Sequence, residues 1–319
     1  MSGDPRPLRV AMVGAGGFAA RHLDVLARER GVEIVGHVSR TLAAAEDQAR
    51  RYGGRAYATI DELLVHERLD AAWITVPPQA HGAIEHALIA AGVPFFVEKP
   101  LSGDRATGAA IGRAVADAGL IAAVGYHWRA LDTMAELRAR LADGPLVAMV
   151  TGAWHSSTPP PAWWRKQASS GGQFVEQATH LLDLARHLIG EAVVTHAVAD
   201  RHPRPRFPDA DVAAVGAATL RFGAGALGVF TATCLLGRSE RVELQLMREG
   251  ELITVTQGSV VYDDGRERRE ARVQADPVAT EDRAFLEAVR SGDGSVLVCD
   301  YADALRTHAL VHEVVAVAG

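Results

Sequence analysis

The feature that most limits how this 319-residue chain can fold is the rhythm of its first 125 residues, where short apolar runs alternate with segments of helical spacing. Residues 8–13 form an apolar run closed by glycines, and 18–30 follow with Leu23, Leu26 and Ala27 on one side. Strand-like runs at 33–38, 71–76, 95–97 and 120–124 are separated by helix-like segments at 42–51, 84–91 and 106–118. Such alternation predicts a parallel sheet covered by helices on both faces. After Tyr126 the rhythm changes. A helix over 131–141, a strand over 146–152 and a proline–tryptophan loop over 158–164 precede a helix over 173–188. Runs at 212–222, 226–234, 242–247 and 252–255 lie between glycine and charged turns that suit antiparallel pairing, and the tail returns to helix at 280–290 and 301–315. At this length two domains are expected, 1–125 and 126–319.

Gly14-Ala15-Gly16-Gly17-Phe18-Ala19 follows the first strand and opens the first helix. That is the context in which a GxGxxG/A pattern binds a dinucleotide. Gly14 permits the tight turn, Gly16 and Gly17 let backbone approach a pyrophosphate, and Ala19 keeps helix close to strand. An acid at the end of the second strand would bind the ribose 2′-hydroxyl of NAD. Here that strand ends His37-Val38-Ser39-Arg40 without a carboxylate. A hydroxyl and a guanidinium suit a 2′-phosphate, so NADP is expected ahead of NAD. The plainer alternative makes Arg40 a solvated residue and the protein indifferent to the phosphate.

Lys99 and Lys166 are the only lysines among 33 basic residues. Arginine stays protonated, whereas a desolvated lysine can act as acid or base. Lys99 stands in Val97-Glu98-Lys99-Pro100, where an apolar run opens into a loop, and carboxyl ends of parallel strands face the ligand crevice. Lys166, between Arg165 and Gln167, reads as an ordinary surface residue. Further on, Glu176, His180 and Asp183 fall at i, i+4 and i+7, which places them on one face of a regular helix. By itself this describes an amphipathic helix with a wet face, and His187 extends the same stripe.

Composition narrows the remainder. The chain is 48% hydrophobic and 23% charged, with a net charge of −6 and scattered arginines, which offers nothing to nucleic acid or an anionic membrane. Cys234 and Cys299 are too few for a disulfide framework or zinc cluster, so a reducing compartment is expected. The polar start has no signal-like apolar region and no run reaches membrane-spanning length, which points to the cytoplasm.

Taken in order, the Gly14 fingerprint, Thr75-Val76-Pro77-Pro78-Gln79-Ala80-His81, Glu98-Lys99-Pro100, and Gly171-Gly172 with Glu176-Gln177-Ala178-Thr179-His180-Leu181-Leu182-Asp183 resemble the glucose–fructose oxidoreductase / inositol dehydrogenase / rhizopine catabolism family of NAD(P)-dependent oxidoreductases. The likeness spans nearly the whole chain. It implies an α/β fold, with an N-terminal Rossmann domain and a C-terminal α+β domain built on an open, mainly antiparallel sheet. One face of that sheet would form a homodimer or homotetramer. Lys99 matches the family lysine that hydrogen-bonds the reacting oxygen, His180 the acid/base or substrate-anchoring histidine, and Glu176 stands where many members have aspartate. Thr75, Pro77, His81 and Glu98 would line the cofactor, and the amine of Lys99 would meet the imidazole of His180 across a nicotinamide ring. Pro78 replaces a commoner asparagine, and His127 a commoner asparagine or glutamine, which marks a different substrate group.

The implied activity is hydride transfer between NADP(H) and a sugar, cyclic polyol or related small molecule. His127, Trp164, Arg165 and Asp183 are candidate substrate contacts, since aromatic faces and a guanidinium fork suit a sugar or sugar phosphate. Packing is the competing reading of the tryptophans, and a surface ion pair that of Arg129. Two other activities occur on this fold: a redox-silent sensor, which would need neither Lys99 nor His180, and an NAD-dependent glycosidase, which Ser39-Arg40 disfavours.

Overall fold

Strand β1 (Leu8–Val13) sits in the middle of a six-stranded parallel sheet in the computed structural model, which describes residues 6–319. The order is β3-β2-β1-β4-β5-β6, from β2 (Val32–Val38), β3 (Arg55–Tyr57), β4 (Ala71–Ile74), β5 (Phe95–Val97) and β6 (Ala122–Val124). The chain runs outward from β1 to β3, then returns to the other side of β1. That reversal opens a crevice at the carboxyl ends of β1 and β4, the usual seat of a dinucleotide. All four residues of β4 are buried, as a strand covered on both faces requires. Helices α1 (Gly17–Leu26), α2 (Leu42–Tyr52), α3 (Ile60–His66), α4 (Ala83–Ala90) and α5 (Arg105–Ala118) complete the alternation. Both α3 and β3 are shorter than the sequence pattern could register.

The domain limits expected from sequence need correcting. The first unit takes the chain to Ser102 and then Ala106–His127, so the break near 125 is close to its expected place. It also takes Pro277–Leu305, which the composition shift near Tyr126 gave no means of assigning. Helix α9 (Pro277–Ser291) belongs here through Phe285, whose ring meets that of Trp73 edge-on at 5.0 Å and 78°. Long-range packing of one amphipathic face decides the matter, and no local signal carries it.

The second unit comprises Gly103–Arg105, Trp128–Asp276 and Arg306–Gly319. Its eight-stranded sheet has the order β14-β13-β12-β11-β7-β10-β9-β8. The strands are β7 (Met149–His155), β8 (Ala192–Asp200), β9 (Val215–Phe222), β10 (Leu227–Thr233), β11 (Arg241–Arg248), β12 (Glu251–Val255), β13 (Ser259–Asp263) and β14 (Arg268–Arg272). Only β7 and β10 pair in parallel, so the sheet is mainly antiparallel as expected. Helix α6 (Met134–Ala142) precedes its first strand, α7 (Gln167–Ser170) and α8 (Thr179–Ile189) lie between β7 and β8, and α10 (Tyr301–Ala318) is the last element. The two edge strands went unread: β14 is Arg-Arg-Glu-Ala-Arg and β8 is mostly exposed. The charge of β14 protects that sheet edge from pairing with other chains, and it hides the strand from any apolar pattern. Strand β7 starts three residues later than the apolar run suggested, because Leu146 is exposed. Among the described residues, no helix is long and apolar enough to cross a membrane.

Candidate active site

In the first unit the predicted nucleotide residues gather at the carboxyl edge of the parallel sheet. Gly14 has φ of +116°, and a Cβ there would stand 2.5 Å from Thr75 Oγ1 and 2.7 Å from its carbonyl oxygen. Both the turn and the close passage of two backbones therefore require glycine. Thr75 is fixed in return, its amide donating to the Val13 carbonyl at 2.8 Å. At Gly16 and Gly17 a Cβ would meet nothing within 4 Å. Gly16 caps α1 without any side-chain hydrogen bond, and the first turn carries no acid. Open backbone amides at a helix start with room before them fit a pyrophosphate. Phe18 is partly exposed on the same turn, and Ala19 is fully buried beneath it.

Ser39 is half-buried and Arg40 exposed just past the end of β2. Beyond β4, Pro77 leads into a single 3-10 turn over Pro78–Ala80. His81 follows, its Nδ1 2.5 Å from Glu85 Oε1, while Oε2 of that carboxylate accepts from the Gly82 amide at 2.6 Å. Despite burial, these partners hold the Glu85 carboxyl below its usual range. The loop that carries Thr75 to His81 is thus anchored to α4 through a buried carboxylate.

Lys99 is half-buried, two residues beyond β5, and its bond to Pro100 is cis. Its neighbour Glu98 points inward: Glu98 Oε1 lies 3.2 Å from Nε2 of His22, a fully buried residue of α1. Nδ1 of the same ring lies 2.8 Å from Asp282 of α9. Burial opposes charge on His22, but Asp282 and Glu98 outweigh it and raise its pKa to about 10. His127 shows the opposite outcome. Burial, with Lys99 and Arg21 adding to it against Glu98, lowers its pKa to about 4, so its imidazole is neutral at neutral pH. Its ring lies 6.3 Å from that of Phe18. Within this unit the structure brings together Gly14 to Ala19, Thr75, Glu98, Lys99 and His127, by way of a histidine and an aspartate that sequence reading passed over. A histidine in an apolar helix and an aspartate some 260 positions away offer no pattern until α9 is placed.

In the second unit the helix over 173–188 is not regular. A π turn over Phe174–Ala178 precedes α8. Five residues close that turn instead of four, so the alignment expected between Glu176 and His180 is offset, whereas His180 and Asp183 keep helical spacing. Gly171 and Gly172 enter the turn with φ of +74° and +87°, and the Glu176 amide donates to the Gly172 carbonyl. His180 is buried with its ring nearly parallel to Trp154 at 5.9 Å and to Trp128 at 6.3 Å. Two indoles therefore fix the plane of the imidazole. Trp128 was not among the expected site residues.

The wet-face reading of the polar stripe fails, because every residue of α8 from Thr179 to Arg186 is buried. Asp183 is fully buried, which corrects the reading of it as a solvent-facing residue, and its carboxylate is held by internal partners. Arg129 Nη2 and Nε donate to its two oxygens at 2.6 and 2.7 Å, and Thr307 Oγ1 donates at 2.7 Å. Arg129 is accordingly an internal partner and not a surface one. Burial pushes the Asp183 carboxyl up and the guanidinium opposes it. Trp164 also needs correction. It packs in a small apolar cluster with Val212 and Cys234, so packing is its observed role. Arg165 donates to the Pro160 carbonyl at 2.7 Å and lies 5.0 Å over the Phe207 ring, with Asp209 beside it. Those local ties hold its guanidinium against its own loop. Lys166 pairs with the same loop at Asp209, in keeping with an ordinary surface residue.

A nucleotide crevice on one sheet and a buried histidine helix on another define a two-domain dehydrogenase. Residues 8–126 match the model of the oxidoreductase family with an NAD-binding Rossmann fold, GFO_IDH_MocA, and residues 134–261 match the GFO/IDH/MocA C-terminal domain. The chain belongs to this family, and it is an NAD(P)-dependent dehydrogenase/reductase acting on CH–OH groups. It is 26% identical over 308 residues to 4-carboxy-2-hydroxymuconate-6-semialdehyde dehydrogenase of Sphingobium sp., covering 89% of this chain and 91% of that one. Inositol 2-dehydrogenase of Rhizobium meliloti is 30% identical over 190 residues, 59% of this chain and 57% of that protein. Among solved structures, the 3-ketoreductase KijD10 of Actinomadura kijaniata, in complex with NADP and TDP-benzene, superposes with a TM-score of 0.83 at 20% identity, covering 96% of both chains.

The buried pair in the second unit gives a direct test. Arg129→Met leaves the Asp183 carboxylate buried with Thr307 and the less direct pull of Arg186, and is expected to lower unfolding free energy by about 3–5 kcal/mol. Urea denaturation measures it; a loss under about 1 kcal/mol would mean the pair is solvent-screened after all.

Proposed function

We propose that this enzyme moves a hydride between NADP(H) and a sugar, cyclic polyol or related hydroxyl/carbonyl compound, with Lys99 and His180 handling the proton. The carrying observation is the position of Lys99, a lone lysine of its region, two residues past the end of β5 at the crevice edge of the parallel sheet. A bound nicotinamide supplies the hydride chemistry, and the chain supplies position and proton transfer. Lys99 donates to the reacting oxygen as negative charge develops there. His180, its plane set by Trp154 and Trp128, takes up or returns the proton, and Glu176, although offset on the preceding π turn, is the carboxylate assigned to orient it. His127, neutral at neutral pH, can both donate and accept a hydrogen bond to a substrate hydroxyl. Ser39 and Arg40 support the choice of NADP by offering a hydroxyl and a guanidinium to a 2′-phosphate. An inositol dehydrogenase among the relatives supports a polyol or sugar substrate.

Assembly is part of the same proposal. Across the second sheet Thr219, Val229, Thr151, Gln245, Thr254 and Val261 pair side by side in one half-buried, uncharged row. A second copy of this chain, related by a two-fold axis, would cover that face, giving a homodimer or homotetramer.

Three measurements test these readings. Nucleotide fluorescence titration should show tighter binding of NADPH than of NADH, and Lys99→Met should cut turnover on a carbonyl-sugar panel by about 100-fold or more while NADPH affinity stays within a few-fold. NADH preference would overturn the role of Ser39 and Arg40, and turnover retained within a few-fold would remove Lys99. Sedimentation should give a dimer or tetramer for the wild type and a monomer for Val229→Arg; a wild-type monomer would refute the interface.

A further inference from the structure

We infer that His22, Glu98 and Glu281 form a binding site for one first-row divalent cation inside the first unit, a role separate from hydride transfer. The three come from distant stretches, α1, the turn after β5, and α9. They are 0%, 6% and 2% exposed, and one ligating atom from each lies within 4.8 Å of the others. His22 Nε2 and Glu98 Oε1 stand 3.2 Å apart, about the separation of two adjacent donors that each sit roughly 2.1 Å from one metal.

Glu281 supplies the independent observation. Both of its carboxylate oxygens are buried, and neither has a hydrogen-bond partner. A buried acid normally has each oxygen engaged, by a donor or by a cation. Among the described residues no donor reaches either oxygen of Glu281, so both stand unengaged beside His22 and Glu98, where a cation could take them up.

The surroundings match a metal centre in two further respects. The far nitrogen of His22, Nδ1, is held by Asp282 at 2.8 Å, and Asp282 is itself held by Trp73 Nε1 at 2.8 Å. A carboxylate behind the ring that leaves the other nitrogen facing a ligand set is the usual outer support of a metal-bound histidine. The donor set is the second. Glu98, Glu281 and Asp282 gather three carboxyl groups around one imidazole, and without a cation burial and the nearby Glu98 push the Glu281 carboxyl well up. A divalent cation among them would offset the repulsion between the carboxylates and take the place of the proton that Nε2 shares with Glu98. One imidazole and two carboxylates suit Zn2+ or Mn2+ better than the soft or the strictly oxygen-bound ions.

The test uses untagged full-length protein produced in medium supplemented with Zn2+ and Mn2+, gel-filtered in metal-free buffer, and analysed by elemental mass spectrometry. About one equivalent of metal per chain is expected in the wild type. Glu281→Gln, which keeps the shape, should fall to background while its far-ultraviolet circular dichroism remains that of the wild type. Dialysis against a chelator should lower the wild-type Tm by several degrees and leave that of Glu281→Gln unchanged. Wild-type protein without metal above background overturns the proposal whether or not the variant folds, and identifies Glu281 as a neutral acid. Equal metal in both proteins overturns it too, by placing the ion elsewhere. Neither readout depends on turnover, so failure of the hydride-transfer reading would not alter the result.

Discussion

The dinucleotide half of this enzyme depends on a buried imidazole gripped from two sides. His22 lies between Asp282 and Glu98, and through them three pieces of chain are joined: the helix whose start fits the pyrophosphate, the strand that delivers Lys99, and α9, which returns from beyond residue 277. Buried charged sets of this kind contribute little net stability, since desolvation cancels much of the attraction. Their effect is geometric. Any shift of α9 or α1 would leave one of these groups buried without its partner, so the position of the Glu98–Lys99 segment is specified more sharply than apolar packing alone would specify it. Gly14 adds a second constraint at the same edge, because only a residue without Cβ lets β1 pass against Thr75.

Much of this was legible in the chain itself. The period of apolar residues before Tyr126 implied a parallel sheet, and the glycines after β1 implied its ligand. Most core strands of the second sheet were also readable, as apolar-rich runs between glycine and charged turns. What escaped reading has common physical causes. Strand β14 carries charge because it is an edge, so it has no apolar signature. Helix α9 looks like any amphipathic helix, and only contact with Trp73 shows which unit owns it. The π turn ahead of α8 is invisible to a rule that assumes 3.6 residues per turn, and it displaced the expected Glu176–His180 alignment.

The candidate site was misread chiefly where a polar residue was taken to face outward. Asp183, Arg129 and Thr307 form an internal set in the second unit, and they hold α8 one turn beyond His180. Polar side chains on a helix report the polarity of their partners, and those partners need not be water or substrate. Trp164 shows the converse, an aromatic residue in a proline-rich loop that proves to be a small core of its own. Trp154 and Trp128 are instead the indoles that stack beside His180 and fix the imidazole plane.

Hydride transfer from the nicotinamide to a carbonyl carbon is followed by supplying NADPH deuterated at the transferable C4 position with a panel of keto sugars and cyclic ketones, then weighing the products. An alcohol bearing one deuterium on the former carbonyl carbon is expected. Tight nucleotide binding with no deuterium in any product would contradict it, and would favour a protein that senses the nucleotide without using it.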